Sequence, residues 1–156
     1  MTMNLDQLIE SGIDQAKRVL VGVQGAQLLR AFVIQFKDRP PTIIACPWSD
    51  THERNATIAA MRMTFKAYRE HIDSYLFWSE VWMASENPRH PTGLMPADRQ
   101  DRKEGVLINA FDAKGGERTR FYEIMRGPDG VVTDLVKFDR EPDQYGGDLH
   151  NLLKDD

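Results

Sequence analysis

The sequence predicts an α+β fold, with one mixed, mainly antiparallel sheet of five or six strands and a long helix packed on one face. Three observations predict it. Apolar residues recur at helical spacing over 5–20 and again over 51–72, while the rest of the chain alternates with the two-residue period of strands. The tetrapeptides Lys114-Gly115-Gly116-Glu117 and Gly127-Pro128-Asp129-Gly130 are hairpin signals between such runs. The order is helix, two strands, helix, four strands, and helices kept apart from a run of strands indicate α+β rather than a doubly wound sheet.

The first helix starts at Asn4, a residue type that caps N-termini, and carries Leu5, Leu8, Ile9, Ile13, Ala16 and Leu20 on one stripe. Gly22 and Gly25 mark its end. A strand over about 28–37 places Leu28, Phe32, Ile34 and Phe36 on one face, with Arg30 among them. The turn Asp38-Arg39-Pro40-Pro41 joins it to a short strand at 42–46. The second helix opens at Asp50, with Glu53 completing a capping-box-like start. Ile58, Met61, Phe65, Tyr68 and Ile72 form its core stripe. A strand over 74–85 follows. Residues 86–102, with three prolines and many charges, read as a long, mobile loop. Strands resume at 104–112, 118–126 and 131–138. The chain thus reads as a single globular domain, 1–156. Its tail from 140 is partly extended, and Leu149, Leu152 and Leu153 belong to a short terminal helix.

The chain has 156 residues, a net charge of −4 and 28% charged residues, which argues against tight nucleic-acid binding driven by surplus lysine and arginine. Cys46 is the sole cysteine, so no internal disulfide forms. It lies in an apolar run and reads as a buried small hydrophobe. A charged N-terminus and the lack of an apolar run approaching the roughly 20 residues of a membrane span predict a soluble, cytoplasmic protein.

The strand 74–85 holds the best single clue to a site. Leu76, Trp78, Glu80, Trp82 and Ala84 share one face, and Tyr75, Phe77, Ser79, Val81 and Met83 the other. Both faces are apolar, so this strand belongs inside the sheet, and Glu80 stands out between two indoles. A buried carboxylate needs a partner. Arg99 and Arg102 precede the next strand, and one of them is expected to hold Glu80 in a bidentate pair.

Other constellations are weaker. Glu80, Asp101 and Lys103 imitate the acid and acid-x-lysine spacing of metal-dependent nucleases, a short and degenerate pattern. Of the histidines, His52 and His71 sit some five turns apart on one helix and cannot share a metal. The sequence contains no zinc-type spacing, no nucleophile elbow and no phosphate loop, so no metal or cofactor is expected. Arg118, Arg120 and Tyr122 fall on one strand face and read as an outward basic face over the core side Phe121, with nucleic acid unlikely.

A long helix, then the strand Ser79-Glu80-Val81-Trp82, then a loop from Pro96 through Asp101-Arg102-Lys103-Glu104 resembles a family of small bacterial and phage-like proteins. The resemblance spans about residues 28–138. It brings no activity, and it implies that Glu80, Trp82, Arg102 and Glu104 form a linked cluster. The binding cluster expected from the sequence is therefore Trp78, Glu80, Trp82, Arg99, Arg102 and Glu104. The leading function is a non-enzymatic binding or accessory protein of bacterial or phage type, acting on a protein partner or on itself. The alternatives are a small metal-dependent hydrolase or nuclease centred on Glu80, and a structural homodimer that pairs through an exposed strand edge.

Overall fold

The computed structural model describes residues 3–84, 103–138 and 144–145. Helix α1 (Leu5–Leu20) begins in a full capping box. The Asn4 side chain accepts the Gln7 N–H at 2.8 Å, and the Gln7 side chain accepts the Asn4 N–H at 3.0 Å. Its stripe of Leu8, Ile9, Ile13, Ala16 and Leu20 is buried. Gly22 and Gly25, at φ 76° and 68°, then turn the chain through backbone conformations that favour glycine.

Strands β1 (Ala31–Phe36) and β2 (Thr42–Ala45) form the expected hairpin. Helix α2 (Thr51–Ala67) is capped by Asp50, whose side chain accepts the Glu53 N–H at 2.7 Å. Glu53 reaches back past the cap to Ser49, accepting its N–H at 2.7 Å and its hydroxyl at 3.0 Å. The helix is shorter than its apolar period suggested. It ends at Ala67, a 3-10 turn covers Arg69–His71, and Ile72 opens strand β3 (Ile72–Ala84). Ile72 is buried in the same core as Phe65, but it gets there from the sheet, paired with Phe36. Tyr68 is 46% exposed and is not a core residue.

Strands β4 (Lys103–Asp112), β5 (Glu117–Arg126) and β6 (Val132–Lys137) complete a meander. The Asp112 side chain accepts the N–H groups of Lys114 and Gly116 at 2.9 and 2.8 Å, closing the β4–β5 turn with Gly115 at φ 87°. The sheet order is β2-β1-β3-β4-β5-β6, and every pairing among the described residues is antiparallel. A two-residue strand β7 (Gln144–Tyr145) pairs with the far end of β3, at Met83 and Ala84. The fold is α+β, as the sequence predicts. The long loop 86–102, the tail 140–156 beyond β7 and its terminal helix lie outside the described residues.

Each helix takes one face. α1 packs on Leu76, Trp78, Val106, Ile108, Ala110 and Tyr122. Gly12 lets it sit close, because a Cβ there would lie 2.6 Å from a Leu76 methyl carbon. On the opposite face α2 contributes Met61 and Phe65 to an aromatic core. The Phe65 ring lies 4.6 Å from Tyr75 and 5.9 Å from Phe32, both edge-on, and Tyr75 stacks on Phe111 at 4.9 Å. Further along this face Leu107 and Phe121 form a smaller cluster with Val81 and Phe138. No helix among the described residues is long and apolar enough to cross a membrane.

Candidate functional site

β3 lies between β1 and β4, so its first half is sealed on both edges and both faces. Its second half is not. β1 makes its first pair with β3 at Ala31↔Trp78, and β7 pairs only from Met83 onward. Before Ala31 the chain leaves strand conformation, and Leu28 drops toward the α1 side. A cleft of about 660 Å³ straddles the edge of β3 where the two strands separate.

One wall belongs to the α2 side. Arg30 crosses it, donating from Nη1 to the Trp48 carbonyl at 2.9 Å with its guanidinium carbon 5.2 Å from the centre of the Trp48 ring. Trp48 in turn stacks on Phe77, centroids 5.8 Å apart and planes within 9°. Arg54, from the first turns of α2, also faces the cleft. The Arg30 and Trp48 positions follow from the hairpin, because the Cys46 N–H donates to the Arg30 carbonyl at 2.7 Å and brings the residues after β2 back beside β3.

The other wall belongs to the α1 side and carries Glu80, Trp82 and Glu104. Glu80 is exposed, and its Oε1 accepts the main-chain N–H of Leu28 at 2.8 Å. Trp82, 38% exposed, stands opposite Glu104 in the β3–β4 register. Glu104 accepts two bonds from Arg126, Nε at 2.7 Å and Nη2 at 3.2 Å, while Arg126 Nη1 holds the Gly130 carbonyl at 2.7 Å.

The sequence-derived cluster is thus divided. Glu80, Trp82 and Glu104 share a wall of the cleft. Trp78 is buried beneath α1 and donates Nε1–H to the Leu29 carbonyl at 2.9 Å, which fixes the segment before β1. Arg99 and Arg102 lie outside the described residues. Glu80 is exposed rather than the buried carboxylate the strand pattern suggested, and its partner among the described residues is the main-chain N–H of Leu28 rather than an arginine. Arg30, Trp48 and Arg126 complete the site and were not singled out from the sequence. Their one advance signal was Arg30, a charge on an otherwise apolar strand face.

The two described members of the nuclease-like pattern, Glu80 and Lys103, lie on opposite faces of the sheet. Glu80 faces the α1 side. Lys103, four positions before Leu107 in β4, faces the opposite side, where it meets Glu123 at 3.3 Å and lies 6.0 Å from the centre of the Phe138 ring. Asp101 lies outside the described residues, and among the described residues no three acids, histidines or cysteines could hold one metal ion. Cys46 is 2% exposed, and burial pushes its thiol above the ordinary value, against thiolate chemistry. The outward basic face is corrected as well. Tyr122 is buried against α1, and Asp6 of α1 sits 3.5 Å from Arg118 and 3.6 Å from Arg120.

Comparison of the chain with protein-family models, with curated proteins and with solved structures gave no match. The family resemblance carried by the long helix, Ser79-Glu80-Val81-Trp82 and the loop from Pro96 to Glu104 rests on those sequence elements alone.

Proposed function

We propose that this is a non-enzymatic binding or accessory protein, of bacterial or phage type and acting in the cytoplasm, whose ligand occupies the cleft beside β3. The carrying observation is the make-up of that cleft. Its volume is in the range of ordinary ligand sites. One wall is aromatic and cationic, through Trp48 and Arg30, and the other aromatic and acidic, through Trp82 and Glu80. Such walls recognise planar or extended groups of mixed charge.

Anilinonaphthalene sulfonate is a suitable probe, since its rings complement Trp48 and Phe77 and its sulfonate complements Arg30. It should bind at one site with energy transfer from tryptophan, and Arg30→Met should weaken it at least about tenfold. Absence of saturable binding, or binding untouched by Arg30→Met, would contradict the reading.

A structural homodimer is the second reading. The outer edge of β2 favours it, with Ile43 56% exposed on a strand that pairs only with β1 among the described residues. Sedimentation at rising concentration tests it. A monomer at all concentrations removes it.

A further inference from the structure

We propose that the natural occupant of the cleft is a planar apolar molecule ending in a carboxylate, whose acid group is held on the α2 side by Arg30, Ser79 and Asn109. The inference rests on the reading of the cleft as a binding site and names its ligand class.

The first support is a buried hydroxyl. Ser79 is 7% exposed and lines the cleft, and it makes no side-chain hydrogen bond among the described residues. A buried polar group is ordinarily paired, because leaving it without a partner is costly. The other buried polar side chain among the described residues, Ser74, has a carboxylate oxygen of Asp73 at 3.4 Å. Ser79 has the cleft instead, where a ligand oxygen would complete its hydroxyl.

The second support is what stands beside that hydroxyl. Ser79 follows Tyr75 and Phe77 on the α2 face of β3. Toward β1, Arg30 and Ser79 both stand one step beyond the Ala31↔Trp78 pair. Toward β4, Ser79 is opposite Leu107, and Asn109 is its diagonal neighbour on the same face. Arg30 commits Nη1 to the Trp48 carbonyl, and its guanidinium makes no other hydrogen bond or ion pair among the described residues. A guanidinium has five N–H donors, so this one is fixed in place with donors to spare. Asn109 is fixed likewise. Its Oδ1 accepts the Thr119 hydroxyl at 2.9 Å, and its amide N–H groups make no hydrogen bond among the described residues.

Donors of three kinds, one of them cationic, thus occupy neighbouring positions on one face. That set is complementary to a carboxylate. The two acids of the cleft lining, Glu80 and Glu104, lie on the other wall and disfavour a second negative charge, which sets a carboxylate above a phosphate. Trp48, Phe77 and Leu107 supply apolar surface on the same side for the rest of the molecule.

The probes are naphthoate, its neutral amide and naphthyl phosphate, titrated into the full chain and followed by the indole N–H resonance of Trp48 in NMR spectra. Naphthoate should saturate with a Kd below about 1 mM and bind at least about tenfold tighter than either other. Ser79→Ala should weaken naphthoate at least about fivefold, the worth of one hydrogen bond. The same variant should leave the free protein as stable as before or more so, because the hydroxyl it removes has no partner there.

If anilinonaphthalene sulfonate binds and naphthoate is no tighter than its amide, carboxylate recognition is overturned and the cleft reading stands. If neither the dye nor naphthoate binds, both fall. Tighter binding of naphthyl phosphate overturns the carboxylate. Naphthoate binding untouched by Ser79→Ala, or a loss of stability in that variant, overturns the role of Ser79.

Discussion

The Glu80 carboxylate and the Leu28 main-chain N–H, 2.8 Å apart and 52 residues distant in sequence, join the middle of the sheet to the segment that leads into β1. The bond satisfies a backbone donor where the chain has left helix α1 and not yet entered the ladder. It also holds the Glu80 side chain at the rim of the cleft, with one oxygen fixed. Glu80 is thus part support and part surface, and its variants should separate the two.

Glu80→Gln keeps an oxygen for Leu28 and should change stability by less than about 0.5 kcal/mol in urea unfolding. Glu80→Ala removes the acceptor at an exposed site and should cost about 1 kcal/mol, the net worth of an ordinary hydrogen bond. A loss of 3–5 kcal/mol, the range for breaking a buried ion pair, would show that Glu80 is sealed in the folded protein after all.

Phe65 and Tyr68 sit three residues apart on one apolar period, and the structure treats them differently. Phe65 has no exposed surface and touches Tyr75 and Phe32, whereas Tyr68 is 46% exposed. Phe65→Ala should cost about 3–5 kcal/mol and Tyr68→Ala less than about 1 kcal/mol. Equal losses in chemical denaturation would mean that α2 continues past Ala67 with its stripe inward.

Gly12 gives a test of the opposite kind. Alanine in a helix interior is normally favoured over glycine by about 1 kcal/mol. Here its methyl would meet Leu76, which is 1% exposed and has little room to move. Overpacking of this sort costs about 1–3 kcal/mol, so Gly12→Ala should be neutral or destabilising. A gain of about 1 kcal/mol would place α1 further from the sheet.

Glu53 supplies a pH-dependent signal at the start of α2. The Ser49 N–H and hydroxyl both donate to its carboxylate and hold its pKa below the ordinary glutamate value. The folded value is the depressed one. Its stabilisation is therefore full above the ordinary glutamate range and is lost as pH falls through the folded value. Ser49→Ala keeps the main-chain donor and loses the hydroxyl, so the Glu53 titration followed by NMR should move part of the way up. An unmoved titration would mean that the hydroxyl bond is absent in solution.

Much of this architecture is legible in the sequence because it is local. Asn4 and Asp50 cap their helices through side chains three residues from their donors, and the glycine turns close hairpins with their own backbone. The site is less legible because it is made by register. Glu104 finds Arg126 only because β4 and β5 pair in one particular offset, and Arg30 finds Trp48 only because β2 folds back on β1. Glu80 could be recognised as unusual from its neighbours, but its partner could not. A main-chain N–H leaves no mark in the residue types, so the arginines nearby in sequence drew the assignment. Tyr68 and Ile72 show the same limit, since a helical period ran on by chance into a strand that enters the same core.

Amide hydrogen exchange along β3, with and without anilinonaphthalene sulfonate, puts the cleft itself on trial. In an antiparallel strand alternate residues turn their N–H toward each edge, so two of the four amides from Ser79 to Trp82 face β4 and two face the gap. The two facing the cleft should slow by at least about tenfold at saturating dye, while amides from Ile72 to Trp78 stay unchanged. Unchanged exchange at both positions at saturating dye, or protection that appears on the outer strand β2 instead, would contradict a ligand in this cleft.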